Sequence, residues 1–336
     1  MMCSIMKRRI ITIFIVAIVC WISTAVDAFG SFSESTLHRL AMASSLSYLS
    51  IEKIKQSPYY NECKLEPITQ VVDPTSESGA TIFRVIDNSN NDNNREHQQL
   101  VVACRGSANP KNFGTNLKFN LVPATRLSQN YIPENAQVHE GFQSAAVGLW
   151  KELAQPLMKE IEKTSSSSSV VFTGHSLGGA TSLLTAVHYQ ASISGVRGSL
   201  PDVITFGGPK LCNSELARHI RNESLSQCNI LHLVHSSDPV LANNQKLWND
   251  LGFENVGIEL QCDPNKPVVY YREDETPKKG IAWNIVDHCK YMVRYVCVLL
   301  YGCYCCCFIK YLTLLTYNVR VYSLVQGYNT NGFVLT

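Results

Sequence analysis

The sequence predicts an α/β fold whose central sheet is mostly parallel and is covered by helices on both faces. Short apolar, β-branched runs alternate with segments of helical periodicity, a pattern typical of parallel strands joined by crossover helices. The chain has 336 residues, of which 45% are hydrophobic and 17% charged, so a wholly disordered protein is excluded. Its net charge of +2 creates no global attraction to nucleic acid or to anionic membranes.

Five strands and four helices are expected before residue 240. The strand-like runs are bounded by turn residues, and they are residues 81–86, 99–104, 170–173, 203–206 and 230–234. The helical segments repeat apolar residues every three or four positions, and they are residues 35–54, 141–163, 177–189 and 214–220. Between the first two strands, the polar run 88–94 predicts an exposed hairpin loop.

The N-terminus has the pattern of a secretory signal peptide. Basic residues at 7–9 precede an uncharged apolar run over 10–22, and small residues follow at Ala25 and Ala28. The run is short for a transmembrane helix, which needs about 20 residues. Cleavage is therefore favoured over retention as an anchor. We expect residues 1–28 to be removed and the mature protein to be secreted or to lie in the endomembrane lumen.

The chain contains thirteen cysteines, and their distribution matters more than their number. Seven lie near the two termini, and the six in the body are Cys63, Cys104, Cys212, Cys228, Cys262 and Cys289. In an oxidising compartment these six form a plausible disulfide set, although the sequence does not give the pairing.

Residues 174–178 read GHSLG and match the G-x-S-x-G pattern. The bare pattern occurs often by chance, but here a strand precedes it and a helix follows, as a nucleophile elbow requires. The two glycines allow a tight turn that projects the Ser176 hydroxyl from the top of the sheet. The structural alternative is a glycine-rich turn with an ordinary surface serine, and the flanking strand and helix favour the nucleophile.

A serine hydroxyl needs a base to take its proton and a carboxylate to orient that base. In this architecture the order along the chain is Ser, then Asp or Glu, then His. Asp238 follows the strand 230–234, at the edge where active-site residues gather in open parallel sheets. Asp202 begins a strand instead, at the wrong edge of the sheet, and is rejected.

The expected base is His288, because it follows all the core elements. His188 lies within the helix after Ser176, and His232 and His235 bracket the strand that leads to Asp238. These three histidines are expected in packing or rim positions.

Acyl transfer also requires N–H donors directed at the developing oxyanion. One is expected to be the backbone N–H of Leu177, directly after the nucleophile. The second is expected from Ser107, which follows the strand 99–104, with Gly106 permitting the turn. Arg105 is interpreted as a structural ion-pair partner.

Six motifs in one order resemble the class 3 lipases, a family of fungal triacylglycerol lipases and feruloyl esterases with the α/β-hydrolase fold. They lie within about residues 35–291 and are VACRGS (102–107), VHEGF (138–142), TGHSLGGA (173–180), TFGGP (205–209), DPV (238–240) and DHCKY (287–291). The resemblance implies Ser176, Asp238 and His288 as the catalytic triad and Ser107 with Leu177 as the oxyanion hole.

Three further details follow from the resemblance. His139 matches the family's His-x-Gly-Phe segment and is interpreted as structural. Cys104 stands where the family usually has an aromatic or aliphatic residue, which predicts a buried free thiol. The sequence after Asp238 lacks the second proline common in the family, so we expect a different pocket rim there.

In these lipases the segment after the oxyanion residue forms a lid that uncovers the site at an oil–water interface. Residues 109–110 (Asn-Pro) suit the start of a helix, and Phe113 and Leu117 share one of its faces. Gly114 and Thr115 weaken that helix. We therefore expect a short, loosely held lid and modest interfacial activation.

Residues 295–336 do not fit the family pattern. Residues 295–309 are uncharged, include five cysteines and are too few for a comfortable membrane span. Three interpretations are open: a membrane-associated anchor, with or without acylation, a Cys-rich metal or disulfide patch, or a tail that is absent from the mature protein because the coding sequence is faulty. The C-x₂-C pairs of zinc sites are missing, so a metal patch is least favoured. A faulty tail is favoured over an anchor.

We expect residues 29–294 to form a serine carboxylester hydrolase that needs no metal or organic cofactor. The expected substrates are acylglycerols, and phospholipids, galactolipids or feruloyl esters are alternatives. The expected contacts are a lipid or other ester and a transient lipid–water interface, with the protein a monomer that binds no nucleic acid. A catalytically silent α/β-hydrolase binding module is the alternative from another class, and the complete triad argues against it.

Overall fold

The computed structural model describes residues 34–57, 60, 63–86, 99–106, 120–127, 132–163, 169–193, 200–235, 238, 245–262 and 269–271. Several expectations lie outside these residues. They concern the signal peptide 1–28, the loop 88–94, Ser107, Phe113 and Leu117 of the lid, His288, and the tail 295–336.

An eight-stranded sheet lies at the centre of the described chain, in the order β1-β2-β3-β6-β7-β8-β9-β10. Its strands are β1 (Leu65–Val72), β2 (Gly79–Val85), β3 (Gln99–Cys104), β6 (Ser169–His175), β7 (Pro201–Phe206), β8 (Ile230–His235), β9 (Ile258–Cys262) and β10 (Val269–Tyr271). Neighbours from β3 to β9 run parallel, whereas β1, β2 and β10 pair antiparallel at the edges. A separate antiparallel pair joins β4 (Leu121–Pro123) to β5 (Gln137–His139).

Helices cover both faces of this sheet, as the sequence predicts. They are α1 (Glu34–Leu46), α2 (Ile51–Gln56), α3 (Glu140–Lys163), α4 (Leu177–Ile193), α5 (Ser214–His219), which continues into a π-helical turn (Ile220–Ser224), and α6 (Gln245–Asp250). The long helices α3 and α4 pack together over one face, and α1 packs on β3 and β6 from the other face.

Alternate residues of the central strands enter two separate cores. On β3, Leu100, Val102 and Cys104 lie under α3 and α4, whereas Val101 and Ala103 lie in the cluster that includes α1. Because both faces are buried, the strand is a continuous hydrophobic run without the polar alternation of a half-exposed sheet. The predicted α/β fold with a mostly parallel sheet is confirmed.

The predicted helix over residues 35–54 is two helices in the structure. Helix α1 ends at Leu46 and α2 begins at Ile51, with a turn between them. Ser50 caps α2 by accepting a hydrogen bond from the N–H of Lys53 at 3.4 Å. The apolar periodicity continues through the turn, so the pattern alone does not reveal the break.

The sequence pattern also misses β1, β4, β5, β9 and β10. Strand β1 contains Pro67, and its pairing with β2 shifts register between Pro67 and Thr69. Proline is tolerated there because β1 is an edge strand. Strands β4 and β5 have three residues each, too few to show alternation.

The predicted disulfide set is wrong for three of its six members. Cys104, Cys212 and Cys228 are free thiols. Cys63 lies in the core beside α1, whereas Cys104 and Cys212 lie in the core under α3 and α4. The sheet therefore separates Cys63 from the other two cysteines. The side chains of Cys262 and Cys289 lie outside the described part of the chain.

The expectation of a buried free thiol at Cys104 is confirmed. The residue is fully buried, and desolvation raises its pKa to about 12 even though it hydrogen-bonds to Thr185. A thiol of this kind is protonated at neutral pH and reacts slowly, because the thiolate is the nucleophile.

Within the described residues, no helix has both the length and the apolar character needed to cross a bilayer.

Alkylation should separate the buried thiols from reactive ones. We expect iodoacetamide to leave Cys104 and Cys212 unmodified in the folded protein and to modify both in denaturant without reductant, because burial raises the pKa of each thiol. Peptide mapping by mass spectrometry measures both states. A disulfide-linked peptide containing either residue in the unreduced protein would contradict the assignment.

Candidate active site

Ser176 lies at a sharp turn between β6 and α4. Its φ is +59°, a left-handed conformation that is costly for a residue with a side chain. Two main-chain hydrogen bonds stabilise the turn: the Ser176 N–H donates to the Phe206 carbonyl at 3.0 Å, and the Ser176 carbonyl accepts from the Gly179 N–H at 2.8 Å. A strained serine at a strand-to-helix turn is the geometry of a nucleophile elbow.

The glycines around Ser176 allow backbone segments to touch where a side chain would collide. A Cβ on Gly174 would lie 2.3 Å from the carbonyl oxygen of Gly178. A Cβ on Gly178 would lie 2.3 Å from the carbonyl oxygen of Cys104. Gly179 approaches Gly208 in the same way, with its Cβ position 3.0 Å from the Gly208 Cα. Helix α4 therefore packs closely against the strands.

The chain before Ser107 lies against the first turn of α4. The Cβ position of Gly178 is 2.8 Å from the Gly106 nitrogen and 2.9 Å from the Arg105 carbonyl carbon. Leu177 is the first residue of α4, so its N–H has no carbonyl partner within the helix. The two segments predicted to supply the oxyanion hole are therefore adjacent, although Ser107 itself lies outside the described residues.

Asp238 lies just beyond the end of β8 and is fully buried. Strands β6 and β8 belong to the parallel part of the sheet, so Ser176 and Asp238 both follow strands that end at the same edge. Asp202 begins β7, and its Oδ1 accepts hydrogen bonds from the Asn229 main-chain N–H and side-chain amide, both at 2.9 Å. Its carboxylate therefore stabilises a turn at the opposite edge, which agrees with its rejection.

His139 and His188 have structural roles. The Nδ1 atom of His139 accepts hydrogen bonds from the N–H groups of Gly141 and Phe142 at 3.1 and 3.3 Å, which stabilises the start of α3. The ring of His188, on α4, lies parallel to that of Trp150, on α3, at a centroid distance of 6.3 Å. Burial lowers the pKa of both histidines to about 4.

His232 connects three segments of the core. Its Nε2 hydrogen-bonds to the Val256 carbonyl, so this nitrogen carries the proton and the ring's Nδ1 is the acceptor. The Thr205 hydroxyl then donates to Nδ1 at 2.6 Å. Both ring nitrogens are occupied, and burial lowers the His232 pKa to about 4. His232 is therefore unsuited to be the base for Ser176, and the side chains of His235 and His288 lie outside the described residues.

Arg105 bonds to the turn before β2 through both its side chain and its main chain. Its Nη2 donates to the main-chain carbonyl of Glu77 at 2.7 Å, and its main-chain N–H donates to the Gly79 carbonyl at 2.7 Å. The described side-chain partner is thus a peptide carbonyl in this turn, and the predicted ion pair stays a prediction.

Tyr48 lies at this site although no sequence motif marks it. Its hydroxyl is 3.4 Å from His175 Nδ1, and a Cβ on Gly106 would lie 2.2 Å from the same hydroxyl oxygen. The tyrosine follows α1, far from both residues along the chain, so only the folded structure reveals the contact. Nowhere in the described part of the chain are three or more His, Cys, Asp or Glu side chains arranged so that they could bind a metal ion.

The family model described as lipase (class 3) matches residues 101–243. The resemblance to class 3 lipases is confirmed. The matched segment contains the elbow, the chain around Ser107 and Asp238, and it ends before His288.

Curated lipase and phospholipase relatives match parts of the chain. The secreted mono- and diacylglycerol lipase 1 of Fusarium solani is 28% identical over 146 residues, which cover 43% of this chain and 38% of the relative. Phospholipase A1-II 1 of Oryza sativa subsp. indica is 26% identical over 203 residues, which cover 56% of this chain and 48% of the relative. The chain thus spans less than half the length of each of these relatives.

Solved lipase structures share the fold. The triacylglyceride lipase of Rhizomucor miehei aligns with a TM-score of 0.57 and 20% identity, covering 75% of this chain and 90% of that lipase. Lipase II from Rhizopus niveus aligns with a TM-score of 0.53 and 20% identity, covering 67% of this chain and 78% of that lipase. At this level of identity the likeness establishes the α/β-hydrolase fold alone.

The buried histidines predict a loss of stability in mild acid. Each has a folded-state pKa near 4 against an unfolded value near 6.5, so the unfolded chain binds more protons between these values. The free energy of unfolding should therefore fall as pH decreases from about 6.5 to 4, by on the order of 1 kcal/mol per histidine per pH unit.

His188→Phe isolates one of these contributions. The described residues offer its Nε2 no hydrogen-bond partner, so phenylalanine should retain the ring packing and stability at pH 7 while reducing the loss at pH 5. Urea unfolding at both pH values, followed by tryptophan fluorescence, measures the difference. Equal acid-induced losses in wild type and variant would contradict the assignment.

Proposed function

We propose that this protein is a serine carboxylester hydrolase and that acylglycerols are its main substrates. The observation that carries the proposal is the strained Ser176 turn, with positive φ and glycine contacts that leave no room for side chains. Strain of this kind persists only where the surrounding structure stabilises it, and it is concentrated at functional sites. The confirmed class 3 lipase resemblance supports the same chemistry.

The proposed reaction proceeds through an acyl-enzyme. Ser176 attacks the ester carbonyl while His288 accepts its proton, and Asp238 orients the imidazole and stabilises its charged form. The N–H groups of Ser107 and Leu177 stabilise the oxyanion. His288 then protonates the leaving alcohol and activates the water that releases the acid. No metal or organic cofactor takes part.

Phospholipids are the second candidate substrate. The rice phospholipase A1 relative matches a larger share of this chain than the Fusarium mono- and diacylglycerol lipase does, 56% against 43%. Galactolipid and feruloyl ester hydrolysis belong to the same chemistry and are tested in the same assays. A catalytically silent binding module would need neither the strained serine nor the buried Asp238.

The remaining proposals concern location and access. The secreted Fusarium relative and the apolar N-terminal pattern support cleavage of residues 1–28 and secretion, with the endomembrane lumen and attachment through residues 295–336 as alternatives. We propose a monomer that meets its substrate at a lipid–water interface, under a short lid that includes Phe113 and Leu117.

A fluorophosphonate probe tests the nucleophile directly. We expect the wild type to be labelled and Ser176→Ala to remain unlabelled, because the probe reacts with an activated serine hydroxyl. Ser224→Ala is the matched control, since it removes a buried hydroxyl in the π-helical turn and should label like wild type. Labelling of Ser176→Ala, or none of wild type, would contradict the proposal.

Steady-state kinetics of three further variants test the other triad members. His288→Ala should lower kcat for p-nitrophenyl butyrate by about 10³-fold or more, and Asp238→Asn by a comparable factor, because each removes a member of one catalytic unit. Asp202→Asn is the control for Asp238→Asn and should leave kcat near that of wild type.

Substrate preference is tested by one panel of esters. We expect triolein and diacylglycerol emulsions to be hydrolysed faster than phosphatidylcholine, a galactolipid or methyl ferulate. Activity should rise only about severalfold when tributyrin passes from monomers to emulsion, because Gly114 and Thr115 weaken the lid helix. Faster cleavage of phosphatidylcholine would favour the second candidate, and a steep rise at the emulsion threshold would contradict the loosely held lid.

A further inference from the structure

We propose that Tyr48 is a positioning residue that holds the oxyanion loop, defined here as residues 104–106, against the nucleophile elbow. The inference rests on the proposed function and adds a residue that lies outside the six lipase motifs. It assigns to Tyr48 an effect on the rate of acyl transfer, exerted through the main chain of Gly106 rather than by contact with substrate.

The phenol of Tyr48 touches both segments that form the proposed oxyanion hole. Its hydroxyl lies 3.4 Å from Nδ1 of His175, the residue directly before Ser176. A Cβ on Gly106 would lie 2.2 Å from this hydroxyl oxygen and 2.7 Å from the His175 carbonyl oxygen. The main chain of Gly106 is therefore enclosed between the phenol and the end of β6, and glycine is the residue that fits there.

The turn that carries Tyr48 is attached to the rest of the fold on both sides. The Gln70 side-chain amide, on β1, donates to the carbonyls of Leu49 at 3.0 Å and Ser47 at 3.5 Å. The same amide lies 3.2 Å from the Thr81 hydroxyl on β2. Main-chain bonds from Ser47, Tyr48 and Leu49 back into the last turn of α1 complete the support.

Helix α1 is in turn attached to the strand that ends in the elbow. The hydroxyls of Ser44 and Thr173 are 3.0 Å apart and buried, and Thr173 precedes Ser176 by three positions on β6. Both ends of the Tyr48–His175 contact are thus anchored to the same part of the sheet. A side chain that served only to fill space would not require this set of polar contacts around its turn.

Small shifts of the oxyanion loop have large effects on rate. Oxyanion donors must lie about 2.7–3.1 Å from the developing charge, and a displacement of about 1 Å can cost about 10²-fold in rate. Gly106 directly precedes Ser107, the proposed second donor. Loss of the Tyr48 hydroxyl should therefore let the loop move and should lower kcat rather than weaken substrate binding.

Tyr48→Phe tests this role because it retains the ring and removes the hydroxyl. With p-nitrophenyl butyrate we expect kcat to fall about 10-fold, KM to change less than about twofold, and the unfolding temperature to stay within about 2 °C of wild type. Tyr60→Phe is the matched control, because Tyr60 packs partly buried against the core cluster that includes α1 and belongs to neither the oxyanion loop nor the elbow. It should leave both kinetic constants unchanged.

A double-mutant cycle tests whether Tyr48 and Gly106 act through one another. Gly106→Ala should lower kcat because its Cβ would collide with the Tyr48 hydroxyl and the His175 carbonyl. Adding Tyr48→Phe removes one of these collisions, so the double variant should be no less active than Gly106→Ala alone. Effects of residues that act through one another are not additive.

The outcomes distinguish this inference from the proposed function. An unlabelled, inactive wild type would overturn the proposed function and the inference with it. An active wild type with Tyr48→Phe equal to it in kcat would overturn the inference alone. Additive losses in the cycle, or a kcat loss that accompanies an equal loss of folded protein, would assign Tyr48 to packing and also overturn it.

Discussion

The site depends on the close approach of three main-chain segments at the end of β6. Ser176 adopts a left-handed conformation, and its peptide groups are bonded to Phe206 on one side and Gly179 on the other. The loop after β3 touches the same helical turn through Gly178. Hydrogen bonds between neighbouring segments thus stabilise a conformation that an isolated chain would avoid.

The layers around the sheet give this arrangement its rigidity. The core under α3 and α4 supports the first turn of α4, and the core beside α1 supports the turn that carries Tyr48. Histidines at positions 139, 188 and 232 are uncharged parts of this support, because burial lowers their pKa values.

Local patterns predicted the parts of the structure that are determined locally. The elbow follows from a strand, two glycines and a helix that are contiguous in sequence, and the position of Asp238 follows from the strand before it. The break at Ser50 escaped prediction because apolar periodicity continues across the turn. The disulfide set was wrong because the number of cysteines does not reveal which face of the sheet each occupies, as Cys63 and Cys104 illustrate. Tyr48 escaped prediction because its contacts join residues distant in sequence.

The most direct test of the account is a crystal structure of the protein with a phosphonate covalently bound to Ser176. The account predicts that the phosphonyl oxygen lies about 2.7–3.1 Å from the N–H groups of Leu177 and Ser107, with the His288 imidazole within hydrogen-bond distance of the Ser176 oxygen. A phosphonyl oxygen directed away from both N–H groups, or a His288 ring far from Ser176, would contradict it.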